Sequence, residues 1–343
     1  MPNSDTVSTL VADLGGTNVR FALANTSTKP LVDSSIGHYA VADFPSLTAA
    51  ALHYLAQMNA QPRRAVFAVA GKVGSDEIRI TNLPWVISIE GTRKDLSLSS
   101  LDVINDFAGM SMAIPLLTAQ DVETIGDVPR PSDKNVTSRT IGVVGPGTGL
   151  GVGAYLLRDG KQHALQTEGG HVGFAPSTDE EIEILRYLSK RFGRVSYERL
   201  ICGSGLVNLY QASCAIAAVA AEDFTPAQVT SHMQDRSNPQ CVRAVEIFCA
   251  ILGTIAGDLV LTLGAWDGIY LAGGMVPLML PWLRSGDFRR RFEDKGRFAG
   301  AMQRVPTVAI TYAYAGLLGA AATAMENAGN ASPAGISQHE TVG

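Results

Sequence analysis

Short apolar runs broken by glycine recur along this chain. Leu10-Val11-Ala12 and Phe21-Ala22-Leu23-Ala24 bracket the stretch Asp13 to Arg20, with Gly15-Gly16 between them. An apolar run, a glycine pair and a second apolar run predict two strands joined by a tight turn. Lys29 to Gly37 reads as a turn and a further short strand. Phe44 to Ala60 carries Leu47, Ala50, Ala51, Tyr54, Leu55 and Met58 at helical spacing behind a capping Ser46. Ala65 to Ala70 is continuously apolar and stops at Gly71, which predicts a strand covered on both faces and a partly parallel sheet. Ile78-Arg79-Ile80 alternates as a short strand, Thr81 to Trp85 reads as a loop, and Leu101 to Ile104 is again strand-like. Phe107 to Leu117 continues as an apolar helix, kinked or broken at Pro115.

Asp121 to Thr140 is polar and contains Pro129 and Pro131, and is expected to be a surface excursion. The opening pattern then repeats. Ile141 to Val144, a glycine-rich turn through Gly145-Pro146-Gly147-Thr148-Gly149, and Ala154 to Leu157 read as strand, turn and strand, 132 positions on (147 − 15 = 132). Glu180 to Arg191, Leu206 to Glu222, Val242 to Leu263 and Ala315 to Met325 are predicted helices. Gly268 to Met275 is a strand entering a Gly273-Gly274 turn, with a helix after Pro277. Residues from Asn327 on are small and polar and are expected to fray or be disordered.

A length of 343 residues suggests two domains. The expected division is a small α/β domain of 1–115 plus 307–330, a large α/β domain of 116–306, and a disordered tail at 331–343. Charged residues make up 17% and the net charge is −5, with no Lys/Arg cluster, so neither composition nor charge suggests nucleic-acid binding. The apolar stretch Ile247 to Trp266 is interrupted by Asp258 and three glycines and reads as a buried helix, so no membrane association is expected. Cys202, Cys214, Cys241 and Cys249 form no ligand spacing and are expected to be free buried thiols of a reducing cytoplasm. Met1 to Ser8 has no apolar signal core.

No Gly-Lys pair is followed by Ser or Thr, so there is no P-loop signature, and the GxGxxA match at Gly149, Gly151 and Ala154 precedes a strand where a dinucleotide fold needs a helix. Each glycine turn alone is only a turn. Three in order, at Gly15-Gly16-Thr17, Gly147-Thr148-Gly149 and Gly273-Gly274, are an economical way to hold a polyphosphate and leave room for an adenine against backbone. Asp13 sets a carboxylate beside the first. Asn105-Asp106 stands at the carboxyl end of a strand, where open α/β sheets place ligands. An Asp there can accept a hydroxyl proton, since a carboxylate with a reference pKa of about 4 is ionised at neutral pH; the competing reading is a helix N-cap before Phe107. In Thr167 to Pro176, Glu168 and His171 flank two glycines and can address neighbouring sugar hydroxyls. One Glu and one His make a poor zinc site, and His171 can equally serve only to hold its loop. Glu198 reads by itself as an ordinary exposed helix residue.

The segments DLGGTNVRFAL, TNLPWVISI, INDFAGMSMAIP, GPGTGLGVG, TEGGHVGFAP, VSYERLICGSGLVNLY, LAGGMVP and FEDKGRF, in order from about residue 9 to 322, resemble the bacterial ATP-dependent glucokinases of the hexokinase superfamily. The resemblance implies a two-domain actin-like ATPase (ribonuclease-H-like) fold with an interdomain cleft. It implies ATP with Mg2+ and transfer of the γ-phosphoryl group to the 6-hydroxyl of D-glucose. Asp106 would be the base, and Asn105, Glu168, His171 and Glu198 would bind the other hydroxyls. Gly15, Gly16, Thr17, Asn18, Gly147, Thr148 and Gly149 would face the phosphates, and Gly273 and Gly274 the adenosine. Asp13 would stand near magnesium through water, with no direct protein ligand. A cytoplasmic homodimer is the corresponding expectation.

The chain departs from the family pattern at Gly173, where Asp is usual, at Lys72, where Pro is expected, and at Tyr314-Ala315-Gly316, in place of Asn-Pro-Gly. No cysteine cluster follows His171, which disfavours the zinc-bearing branch of related kinases and regulators. A kinase for another hexose or amino sugar, or a non-catalytic sugar-sensing regulator, remains as the alternative.

Overall fold

The computed structural model describes residues 8–25, 29–71, 73, 74, 76–79, 85–131 and 136–330. Lys72, Ile80 of the expected strand, the expected loop at Thr81 to Pro84 and the expected tail at 331–343 lie outside them. The chain divides into two compact units, one built from the residues up to Leu116 together with those from Tyr314 on, the other from Leu117–Ala313.

The first unit is organised by β1 (Thr9–Leu14), β2 (Asn18–Ala24), β3 (Gly37–Ala40), β4 (Arg64–Val69) and β7 (Ser100–Asn105), in the order β3-β2-β1-β4-β7. The first three are antiparallel neighbours, and β4 and β7 run parallel to β1. β4 is buried at every position after Arg64, as its unbroken apolar run requires of a central strand. A hairpin of β5 (Glu77–Arg79) and β6 (Val86–Ser88) is set apart from this sheet. Helix α1 (Leu47–Met58) starts at Ser46, whose hydroxyl accepts from the Ala49 N–H, and stops at Asn59 in the left-handed region. After α2 (Ile89–Asp95) and β7, α3 (Asp106–Ala113) gives way to a 3-10 turn at Ile114–Leu116, where Pro115 ends the helical bonding.

The second unit carries a six-stranded sheet. Its strands are β8 (Val122–Ile125), β9 (Ser138–Pro146), β10 (Leu150–Arg158), β11 (Lys161–Gln166), β12 (Ile269–Leu271) and β13 (Thr307–Ile310), ordered β11-β10-β9-β12-β13-β8. The first five positions repeat the directions of the first sheet, an antiparallel meander followed by two parallel strands. The two glycine hairpins therefore occupy equivalent places in two like-ordered sheets.

Around this sheet lie α4 (Asp179–Phe192), α5 (Gly203–Ile216), α6 (Pro226–Gln234), α7 (Pro239–Leu263), α8 (Val276–Ser285), α9 (Phe288–Glu293) and α10 (Ala299–Met302). The most apolar window of α7 is 83% buried, so its hydrophobicity belongs to a core. Glu181 and Arg291, 3% and 5% exposed, form a two-point ion pair at 2.6 and 3.1 Å. All four cysteines are buried and free.

Elements β6, β11, α2, α6, α9 and α10 are not expected from the sequence, and four explicit expectations are corrected. The polar excursion 121–140 contains β8, an edge strand that pairs antiparallel with β13. Residues 307–313, placed above with the small domain, lie in the second unit, because β13 is hydrogen-bonded between β12 and β8. Helix α5 ends at Ile216 and not near Glu222, since Ala218 takes a left-handed φ of 56°. Helix α11 (Ala315–Asn330) runs past Asn327, and the Asn327 amide bonds Asp102 at 3.0 Å.

Candidate functional site

The candidate residues fall into one set in each unit. In the first unit, Asp13 is the penultimate residue of β1 and pairs in register with Arg20 of β2. Their side chains meet at 3.3 Å, and Asp13 keeps 17% exposure. Burial pushes the Asp13 carboxyl above the usual carboxylate range, and Arg20 pulls it back. A carboxyl so raised holds a proton that the unfolded chain has released, so its contribution to stability falls as pH rises through that raised value. The turn that follows is closed by the Gly15 N–H donating to the Asn18 carbonyl at 3.0 Å, and the Asn18 amide donates to the Thr17 hydroxyl. Thr17 and Asn18 are exposed. Neither Gly15 nor Gly16 takes a positive φ, so what they supply is bare backbone and not a left-handed bend. Gly316, near the start of α11, is fixed by the same carboxylate: a Cβ there would stand 2.6 Å from Asp13 Cγ. Of the departing trio Tyr314-Ala315-Gly316, glycine is thus the member that packing demands.

Asn105 ends β7 and caps α3. Its Oδ1 accepts from the Phe107 and Ala108 N–H groups at 2.9 and 3.2 Å, and its Nδ2 donates to the Gly71 carbonyl at 3.2 Å. The capping role therefore falls to Asn105, which is 7% exposed and has one amide hydrogen left to offer. Asp106 is the first residue of α3, half-buried, with its Oδ1 accepting from the Phe107 N–H. A carboxylate in the first turn of a helix is stabilised by the exposed N–H groups there.

In the second unit, the turn between β9 and β10 is closed by Gly147 N–H donating to the Gly149 carbonyl at 2.8 Å. The Gly147 carbonyl in turn accepts from the Gly203 N–H at 2.9 Å. The Gly273-Gly274 turn lies against it: Gly273 has φ 89°, and a Cβ on it would stand 2.4 Å from the Pro146 carbonyl oxygen. Two of the three expected glycine turns are thus neighbours.

Thr167 to Phe174 lies along the start of β10. A Cβ on Gly170 would meet the Leu150 carbonyl oxygen at 2.0 Å, which leaves glycine as the residue that fits. The loop is strapped to the segment 194–197: Arg194 donates to the His171 carbonyl at 2.7 Å, the Tyr197 N–H to the Val172 carbonyl and the Phe174 N–H to the Val195 carbonyl. That strap brings Glu198 beside His171, Oε1 to Nδ1 3.8 Å. Glu198 lies in a 3-10 turn, its side chain 29% exposed, and its Oε2 accepts from the Leu150 N–H at 3.0 Å. The reading of Glu198 as an ordinary exposed helix residue is therefore corrected. Glu168 is exposed at the head of the loop. Gly173 is also exposed and a side chain there would meet open space, so this departure leaves the loop shape alone. No cluster of three or more His, Cys, Asp or Glu that could hold a metal occurs among the described residues.

Two sheets of one strand order, with glycine hairpins at the same place in each, define a two-domain actin-like ATPase fold of the sugar-kinase kind. A solved glucokinase from an Antarctic psychrotroph is similar to this chain with a TM-score of 0.80 at 34% identity, covering 92% of this chain and 98% of that one. A glucokinase from Balamuthia mandrillaris, solved with glucose, shares the fold with a TM-score of 0.77 at 21% identity, over 94% of each chain. A family model described as Glucokinase matches residues 10–327. The glucokinase of Stenotrophomonas maltophilia (strain K279a) is 54% identical over 318 residues, 92% of this chain and 95% of that protein. That of Xanthomonas oryzae pv. oryzae (strain MAFF 311018) is 52% identical over 321 residues, with the same coverage. The chain belongs to the glucokinase family.

Proposed function

We propose that this protein is an ATP-dependent glucokinase that transfers the γ-phosphoryl group of ATP to the 6-hydroxyl of D-glucose at the entry to glycolysis. The observation that carries the reading is the Asn105-Asp106 junction. Asn105 commits its amide to the helix cap and to Gly71, and so fixes Asp106 at the head of α3. Asp106 accepts the proton of the attacking hydroxyl, and phosphoryl transfer otherwise needs positioning and charge neutralisation. Glu168, His171 and Glu198 hydrogen-bond the remaining hydroxyls; Asn105 adds one donor and otherwise acts through Asp106.

The turn Gly15 to Asn18 and the turn Gly147-Thr148-Gly149 face the phosphates, and Gly273-Gly274 faces the adenosine. A magnesium ion brought in on ATP keeps most of its own waters and phosphate ligands. A single part-exposed carboxylate at Asp13, already engaged by Arg20, suits contact through water. The ion's contribution is to neutralise charge on the transferring group.

Free buried thiols support a reducing cytoplasm as the compartment, and exposed Ile216 and Val219 support burial of an apolar surface in a homodimer. A coupled assay of ADP release over a panel of hexoses and amino sugars, with ATP and magnesium, tests the reading. Glucose is expected to be the preferred acceptor. Turnover on another sugar at higher kcat/KM, or on none, would overturn it.

A further inference from the structure

Resting on the assignment of Gly147-Thr148-Gly149 to the phosphates, we propose that Glu198 positions the nucleotide turn as well as binding sugar, so that one carboxylate serves both substrates. Both ends of the turn are tied to the single segment Glu198 to Gly203. At one end the Leu150 N–H donates to Glu198 Oε2 at 3.0 Å. At the other the Gly203 N–H donates to the Gly147 carbonyl at 2.9 Å. Cys202 stiffens the segment between these two points: its Sγ donates to the Glu198 carbonyl at 3.0 Å and accepts from the Gly205 N–H at 3.3 Å.

The fit against the turn is close. A Cβ on Gly149 would stand 2.5 Å from Glu198 Oε2, so the carboxylate occupies the space that any other residue at 149 would need. The second oxygen of the same carboxylate faces His171 Nδ1 at 3.8 Å. Sugar contacts and turn geometry therefore share one side chain, and a sugar that draws on Glu198 also bears on the backbone that holds phosphate.

A measurement that contains no sugar separates Glu198 from its neighbours. Calorimetric titration with AMPPNP and magnesium, without glucose, gives the nucleotide affinity alone. Glu198→Ala removes a charge-assisted acceptor from Leu150 and is expected to weaken that affinity about tenfold. Glu198→Asp keeps the charge but shortens the reach, and weakens it in the same direction. Glu198→Gln retains an acceptor oxygen and restores most of the affinity. His171→Ala and Glu168→Ala raise the KM for glucose and leave the sugar-free nucleotide affinity at that of the unaltered chain. Gly149→Ala, by crowding the carboxylate, raises the KM for glucose from the nucleotide side.

Thermal melting of each variant confirms that it is folded. Unchanged sugar-free affinity in both Glu198→Ala and Glu198→Asp would overturn the proposal, as would an equal loss in His171→Ala. Failure of the unaltered chain to bind AMPPNP would overturn the assignment of the phosphate turn and this inference with it, whereas binding that ignores Glu198 would overturn the inference alone.

Discussion

The two sheets have the same order through five strands and use their ends differently. After the first strand, the first unit sets Asp13 before its turn and Thr17 and Asn18 on it, whereas the second sets Pro146 before and Leu150 after a turn of glycines and one threonine. After the fourth strand, the first unit offers the Gly71 carbonyl to Asn105, whereas the second presses Gly273 onto Pro146. After the fifth, the first unit starts a helix with Asp106. In the second the chain stays alongside β8, with the Thr311 and Tyr312 N–H groups both donating to the Asp121 carbonyl. At these three strand ends the frame supplies carboxylates in the first unit and close-fitting backbone in the second, whose own carboxylates, Glu168 and Glu198, come from later loops. Strand order decides where loops open; the residues at the openings decide what they do.

Removal of the proposed base breaks this contrast most sharply. Asp106→Ala is expected to lower kcat by about 10²–10⁴-fold, the range for losing a general base, with the melting temperature held. Near-normal turnover in the coupled assay would place the base elsewhere. The ion pairs come next. Arg291→Met strands Glu181 in the core of the second unit and is expected to cost about 3–5 kcal/mol. Arg20→Met opens a part-exposed pair and is expected to cost no more than about 1 kcal/mol. Urea midpoints for the two variants test whether the second unit's pair is structural and the first unit's is not.

Helix packing offers a third test. A Cβ on Gly319 would lie 1.7 Å from the Gly109 carbonyl oxygen, where α11 crosses α3. Gly319→Ala should therefore destabilise the first unit by about 1–3 kcal/mol despite alanine's better helix propensity, as read by hydrogen exchange in α3.

A smaller effect is expected at alkaline pH. Burial pushes the Tyr54 phenol up to about 12, and burial with Asp258 nearby does the same for Tyr197. Each stays protonated in the folded chain after the unfolded chain has lost that proton. Stability should accordingly fall as pH rises from about 10 towards 12. Tyr54→Phe should flatten the fall for the first unit and Tyr197→Phe for the second, by thermal melting across pH 9 to 12. The smallest change is expected for Gly173→Asp, within about 0.5 kcal/mol, because the position faces open space.

Much of this frame is legible in the sequence because it rests on local signals. The apolar runs of β1, β4 and β9, the cap at Ser46 and the glycine breaks around α7 all mark themselves within a few residues. Part of what escapes depends on distant pairing, although β11 follows β10 through a local Asp159-Gly160 turn. β8 is a short edge strand whose polar alternation resembles a loop until β13 lies beside it. β13 changes the unit boundary because its partners lie some 40 and 180 positions away, an order-of-magnitude separation no local period records. Glu198 looks ordinary because the strap that turns it towards His171 and Leu150 joins 171–174 to 194–197 through two backbone bonds and the Arg194 side chain. Asn105 shows the opposite case: the sequence names both a cap and a sugar contact, and the structure commits its amide oxygen to the cap and one N–H to the Gly71 carbonyl, leaving one N–H.

Helix α11 gives the assembly order of the molecule. The second unit is one continuous stretch of chain, so every residue it needs has been synthesised once Ala313 is made. The first unit is not. Its sheet and α3 precede the second unit in the chain, yet α11, which packs on α3, β1 and β4, follows it. The unit that is begun first is therefore completed second, and the face of α3, β1 and β4 that α11 covers waits for its partner while the whole second unit is made.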